Sequence, residues 1–182
     1  EMTHIAGLKM LMARNQANAI VESINKEMLE WGSGGTTIYM LQRLKDGQRL
    51  TSIEHHPEWA GKVVDAAKKV LTEEQYARWD YRLIEGGSVG QNATPFEECP
   101  AGLSEYIGGA GDIAKYDTIL VDGVARGACL ATVACKAGLS TTVYLHDAER
   151  PWYQWAQALF FTGSAIPADE GEYPPLLWKS ST

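Results

Sequence analysis

Five times along this chain a short apolar run stops at a glycine, an acid or a histidine, and four of the five give way to a segment of helical period. Met28 to Trp31 precedes a helical stretch from Thr36 to Lys45, closed by Asp46-Gly47. Leu50 to Glu54 precedes a helix opened by Pro57, and Tyr81 to Glu85 is the third run. Asp117 to Val121 leads into a helix over Val124 to Ala137, and Thr142 to Leu145 into one marked by Pro151. Successive parallel strands need a crossover, and a helix is the usual one. The alternation therefore predicts an α/β fold with a mostly parallel sheet and helices on both faces. Two apolar runs in the tail, Leu159–Phe161 and Leu176–Trp178, flank a Pro/Gly/acid turn and predict a closing antiparallel hairpin. Ahead of the first strand, Leu8, Leu11, Met12, Ile20, Val21 and Ile24 form a stripe that predicts a leading helix over residues 7–26. Thr72-Glu-Glu-Gln75 is a capping box opening a short helix.

The 182 residues suit one domain, with residues 86–112 as a loop-rich insertion on the acceptor side. Lys plus Arg number 16 against 23 Asp plus Glu, a net charge of -7, which argues against duplex DNA or bulk RNA as partner. A small ligand in a local pocket is compatible with that charge. The chain has no apolar run of 18 residues, and Glu1-Met2-Thr3-His4 shows no basic-then-apolar leader. A cytoplasmic protein with no membrane partner is the expectation, with self-association left open. Cys99, Cys129 and Cys135 lack metal or redox spacing and are expected to be buried, reduced thiols.

Open α/β sheets bind ligands at the carboxyl ends of their strands, near the point where strand order reverses. The candidate residues all lie at such ends. Glu30-Trp31-Gly32-Ser33-Gly34-Gly35 joins a strand to a helix, and glycines there allow a tight turn and close approach of a ligand. Alone it would be an ordinary turn. One unit later, Ser52-Ile53-Glu54 ends a strand in an acid, where nucleoside sites receive the ribose hydroxyls.

Glu-x-Gly-x-Gly-Gly after the first strand, with Ser52-Ile53-Glu54-His55 after the second, resembles class I S-adenosylmethionine-dependent methyltransferases. Tyr116–Gly123 is similar to the family's fourth strand and Thr142–Asp147 to its fifth, so the resemblance covers nearly the whole chain. It implies a Rossmann-like three-layer sandwich with a seven-stranded sheet, its last hairpin strand antiparallel. The third glycine of the dinucleotide fingerprint is absent, position 37 being Thr, which favours S-adenosylmethionine over NAD as cofactor.

By that resemblance Gly32, Ser33, Gly34 and Gly35 run along the methionine and ribose, and Glu30 reaches the methionine amino group. Glu54 holds the ribose hydroxyls, His55 lies against the adenine, and Glu85 and Gly86 flank it. Asp122 faces the sulfonium. His146 is the first candidate base, because imidazole titrates near neutral pH. Its structural alternative is a strand-end histidine bonded to backbone. Arg126, Asp147 and Arg150 could grip an acceptor, or the arginines could simply pair with Asp147 or Glu149. Trp152, Tyr153 and Trp155 are either pocket wall or core. The catechol-type branch places a metal at these strand tips, but Ala148 stands where that branch has Asn, so no metal is assigned. The expected function is methyl transfer to a small-molecule or sugar-like acceptor. A non-catalytic methyltransferase-like nucleoside-binding or assembly protein is the second reading.

Overall fold

The computed structural model describes residues 4–86, 101–169 and 176–181. Cys99, Pro95, Pro100 and Gly87–Gly90 lie outside them, and with them most of the expected insertion. The chain opens with a hairpin of β1 (His4–Ile5) and β2 (Leu8–Lys9), then α1 (Arg14–Ser23). Next come β3 (Glu27–Trp31), α2 (Gly35–Leu41), β4 (Arg49–Glu54), α3 (Pro57–Val70), α4 (Glu73–Ala77) and β5 (Trp79–Leu83). After these follow α5 (Ser104–Gly108), β6 (Thr118–Val121), α6 (Arg126–Lys136) and β7 (Thr142–His146). The chain closes with α7 (Gln154–Gln157), β8 (Ser164–Ile166) and β9 (Leu177–Ser181).

The main sheet runs β5-β4-β3-β6-β7-β9-β8. Its first five strands pair in parallel, and β9 runs antiparallel to β7 and β8. The chain moves outward from β3 to β5 and then returns to β6, so strand order reverses between β3 and β6. Side chains alternate across each strand with period two. Met28, Leu50, Leu120 and Tyr144 face the layer of α1–α3, whereas Leu29, Ile53, Val121 and Leu145 face α5–α7. The three-layer Rossmann-like sandwich expected from the sequence is found. No helix among the described residues is long and apolar enough to cross a membrane.

Several elements depart from the sequence reading. The leading helix begins only at Arg14. Leu8, Met10 and Met12 are buried while Lys9 and Leu11 are exposed, a strand period lying inside what resembled a helical stripe. Ala6 and Gly7 both have positive φ, 50° and 87°, as a two-residue hairpin turn requires. The helix after β3 stops at Leu41, short of Lys45. β5 begins two residues before Tyr81 and ends at Leu83, because Trp79 pairs with Leu50. In the tail, Leu159 and Phe160 prolong the α7 turn through bonds to Ala156 and Gln157, so the hairpin's first arm starts at Ser164. Cys129 is buried as expected, but Cys135 is exposed on α6. The Thr72 box forms as read, with reciprocal bonds to Gln75 of 3.0 and 3.2 Å.

Candidate functional site at the strand tips

Register gathers the site. Glu30 and Ser52 are neighbours across β3 and β4, and Glu54, Asp122 and His146 continue the same period-two face. Glu30, Ser52, Glu54 and His146 are all buried. Ser52 Oγ donates to Glu30 Oε1 at 2.5 Å and accepts from Trp79 Nε1 at 2.7 Å. Burial without a cation pushes the Glu30 carboxyl up to about 8, against the pull of Ser52 and Thr37, with Asp122 and Glu54 adding to the rise.

That shift makes a stability prediction. The folded chain keeps Glu30 protonated up to about pH 8, while the unfolded chain releases that proton above its ordinary 4.5. Between those values the folded state holds the extra proton, so stability falls as pH rises, by up to about 1.4 kcal/mol per unit. Denaturant titrations from pH 5 to 8 should show this slope in the wild type and a flatter profile in Glu30→Gln. Equal slopes would remove the assignment.

The glycine turn is held mostly by the protein itself. Gly32 N donates to Ile53 O at 2.8 Å, Ser33 N to Glu54 Oε2 at 3.1 Å, and Gly34 N to Thr37 Oγ1 at 2.8 Å. Gly32 has φ of 89°, and a Cβ there would lie 2.6 Å from Gly123 Cα. A Cβ on Gly35 would meet Lys9 O at 2.9 Å, so its small size makes room for the N-terminal hairpin. Gly34 is extended, and a Cβ there would meet only the Trp59 ring at 3.7 Å.

Glu54 ties the turn to the β4 tip. Its Oε1 accepts from the amides of His55 and His56 at 2.9 and 3.0 Å, and its Oε2 from the Ser33 hydroxyl at 3.1 Å. His55 Nδ1 stands 3.0 Å from Oε1. Burial raises this carboxyl, but the donors from His55, His56 and Ser33 win and hold it below its ordinary value. It is a carboxylate at neutral pH. Glu85 is exposed, two residues beyond the end of β5, and Gly86 lies beneath the Leu103 side chain.

Across the switch point, Asp122 Oδ1 lies 2.8 Å from His146 Nδ1. Burial lowers the affinity of His146 for a proton, but Asp122 and then Asp147 outweigh it and lift the imidazole above its ordinary value. Burial likewise raises Asp122, and His146 with Arg126 and Arg150 brings it below its ordinary value. His146 Nε2 is buried and has no hydrogen-bond partner among the described residues. The Asp122 bond makes Nδ1 the protonated nitrogen of the neutral ring and leaves Nε2 as the acceptor.

Arg126 binds both strand tips together. Its Nε donates to Gly123 O at 2.8 Å, and its Nη1 to His146 O at 2.7 Å and Asp147 Oδ2 at 2.9 Å. Arg150 shares the same Asp147 oxygen at 2.7 Å and keeps 37% of its side chain exposed. The alternative weighed in the sequence, arginines pairing with Asp147, is what the geometry gives. Ala125 and Asp147 adopt left-handed backbone, φ 51° and 54°, at the β6 and β7 tips. Such conformations cost about 1–3 kcal/mol each and persist where the surroundings impose them. Of the aromatics considered for a pocket wall, Tyr153 is core, while Trp152 and Trp155 are partly exposed.

The sequence reading missed Gly123, Thr37 and Tyr106. Gly123 had a signal, an Asp-Gly at a strand end; Tyr106 had none, since its place follows from tertiary packing.

No family model and no curated protein matches the sequence. Solved structures match the fold. The precorrin-6y C5,15-methyltransferase of Geobacter metallireducens superposes with a TM-score of 0.58 at 13% identity, over 91% of this chain and 88% of that one. The O-methyltransferase TomG of Streptomyces achromogenes, solved with S-adenosylmethionine, gives 0.60 at 12% identity, over 92% and 78%. An RNA methyltransferase of Salinibacter ruber, solved with S-adenosyl-L-homocysteine, gives 0.57 at 12% identity, over 94% and 93%. The chain has the fold of class I S-adenosylmethionine-dependent methyltransferases.

Proposed function

We propose that this chain, acting as a single domain, transfers a methyl group from S-adenosylmethionine to a small-molecule or sugar-like acceptor at the β3–β6 switch point. One observation carries the reading. The amides of Gly32, Ser33 and Gly34 are engaged within the protein and so are not offered to a pyrophosphate, while Glu30, Glu54 and Asp122 ring the turn. Such a turn suits a ligand that is cationic and lacks phosphate, and a sulfonium nucleoside is one.

Gly32, Ser33, Gly34 and Gly35 would line the methionine and ribose, with Glu30 toward the amino group. A cation there favours the Glu30 carboxylate that burial now suppresses. Glu54 would receive the ribose hydroxyls, the Ser33 hydroxyl turning aside to make room. His55, Glu85 and Gly86 would border the adenine. When bound, S-adenosylmethionine supplies an electrophilic methyl group whose sulfur leaves as a neutral thioether.

His146 Nε2 would take the acceptor's proton, and Asp122 would orient the ring and stabilise its charged form. Arg126 would hold the Gly123 and His146 carbonyls in place, a positioning role. Arg150, the more exposed arginine, would meet an anionic acceptor, with Asp147 fixing its approach. The net charge of -7 supports a small acceptor over a nucleic acid.

Glu54→Ala tests the cofactor site. It should weaken S-adenosylmethionine binding by about 1–3 kcal/mol, through loss of charge-assisted hydrogen bonds, as read by calorimetry on a folded variant. Unchanged affinity would remove Glu54 from the ribose site.

A further inference from the structure

Two hydrogen-bond relays, each starting at a tryptophan, end on Glu30. In the first, Trp79 Nε1 of β5 donates to Ser52 Oγ at 2.7 Å, and Ser52 Oγ donates to Glu30 Oε1 at 2.5 Å. In the second, Trp59 Nε1 of α3 donates to Ser33 O at 2.7 Å. Gly34 N–H, on the other side of that same peptide group, donates to Thr37 Oγ1 at 2.8 Å, and the Thr37 side chain bonds to Glu30. A planar trans peptide points its C=O and N–H in opposite directions, so this one spans the gap between Trp59 and Thr37.

An indole N–H can only donate, and a hydroxyl has one hydrogen to give. Trp79 fills an acceptor position of Ser52, and Gly34 one of Thr37, and both hydroxyls turn their hydrogen to Glu30. The relays therefore run in one direction, and each bond polarises the next. Two donors aimed at one carboxyl favour its ionised form. Burial opposes that form, and so do the acids facing it, Asp122 at the β6 tip and Glu54 at the β4 tip; Tyr81 of β5 also feels its charge. Glu30, Ser52 and Thr37 are buried, so the hydroxyls stand in for water around an ionised Glu30. What an indole adds over a phenyl ring at positions 59 and 79 is the N–H that starts each relay.

We propose that Trp59 and Trp79 are positioning residues for ligand binding, each acting through one hydroxyl to hold the Glu30 carboxylate in place for the cationic end of S-adenosylmethionine. This rests on the adenosylmethionine reading of the site and adds the residues that set Glu30 for it. The Trp59 relay passes through the Ser33–Gly34 peptide, so it also fixes the plane of the turn along which the ligand would lie.

Calorimetry with S-adenosylmethionine, together with infrared spectroscopy of the Glu30 carboxyl, tests this on folded variants. Trp59→Phe and Trp79→Phe keep a ring and lose the N–H, and each should bind about three- to tenfold more weakly than wild type. Ser52→Ala breaks the Trp79 relay at its hydroxyl and should lose at least as much, which keeps that relay testable if Trp79→Phe does not fold. In a Glu30→Gln background the tryptophan substitutions should cost nothing further, a result that a merely structural role would not give. Without ligand, the band of protonated Glu30, identified by its loss in Glu30→Gln, should persist to a pH higher by about half a unit or more in each variant. Equal losses with and without Glu30, or a band that titrates as in the wild type, overturn the proposal. If no protein binds S-adenosylmethionine while the band moves, the relays' hold on Glu30 stands and the adenosylmethionine reading falls.

Discussion

Replacing His146 with alanine is expected to cut methyl transfer by about 10²–10⁴-fold, the range for a lost acid–base group, while S-adenosylmethionine affinity stays near that of the wild type. The ring stands at the β7 tip with Nδ1 2.8 Å from Asp122 and with Nε2 lacking a hydrogen-bond partner among the described residues. Asp122→Asn should share the defect, since the carboxylate that orients the ring and balances its charge is gone. The loss should be most severe at pH below the acceptor's own pKa, where proton removal matters most.

The pH profile carries a second signature. Asp122 lifts the proton affinity of His146, so the neutral, base-competent ring appears only above its ordinary 6.5, and the wild-type rate should climb there. The ion pair's stabilisation runs differently with pH. The raised imidazole contributes fully below 6.5 and loses its contribution as pH rises through its folded value. The lowered Asp122 contributes above its ordinary 3.8 and loses it as pH falls through its folded value. A strand-end histidine that serves only the fold gives the opposite pattern: a lower melting temperature with unchanged rate per folded molecule. Cofactor binding without turnover across a broad acceptor screen would favour the non-catalytic reading.

Gly32→Ala should lower stability by about 3–5 kcal/mol, adding the cost of left-handed backbone to that of overpacking. The new methyl would stand 2.6 Å from both N and Cα of Gly123, backbone atoms that cannot turn aside. Gly34→Ala, at an extended position with only Trp59 at 3.7 Å, should stay within about 1 kcal/mol of wild type. Gly34→Val should keep the fold and lose ligand binding, as the branched side chain crowds the ligand's path. Urea denaturation and calorimetry on the same three proteins separate the two roles. A Gly32→Ala protein as stable as Gly34→Ala would refute the close approach of the β3 and β6 turns.

Sheet and layers were legible in the sequence because parallel strands buried on both faces, punctuated by glycine, leave little choice of architecture. Glu30, Glu54, Asp122 and His146 were visible for the same reason, as polar residues closing apolar strands. The N-terminal hairpin was not. Leu8, Met10 and Met12 fit a strand period, yet lie among residues that also fit a helical stripe, and only the pairing of His4 with Lys9 decides. The pairing of Arg126 with Asp147 was among the readings, but its bonds to the Gly123 and His146 carbonyls were not, since those oxygens of the β6 and β7 turns are brought together only by folding. Tyr106 was invisible because it comes from the opposite layer and reaches the site through packing.

The central claim is that the switch point binds a cationic nucleoside without phosphate. Its most direct test is parallel calorimetric titration of the intact chain with S-adenosylmethionine and with NAD, repeated on Gly34→Val. The account predicts saturable binding of S-adenosylmethionine, none of NAD, and loss of the first signal in the variant. Binding of NAD in preference to S-adenosylmethionine, or of neither, would contradict it.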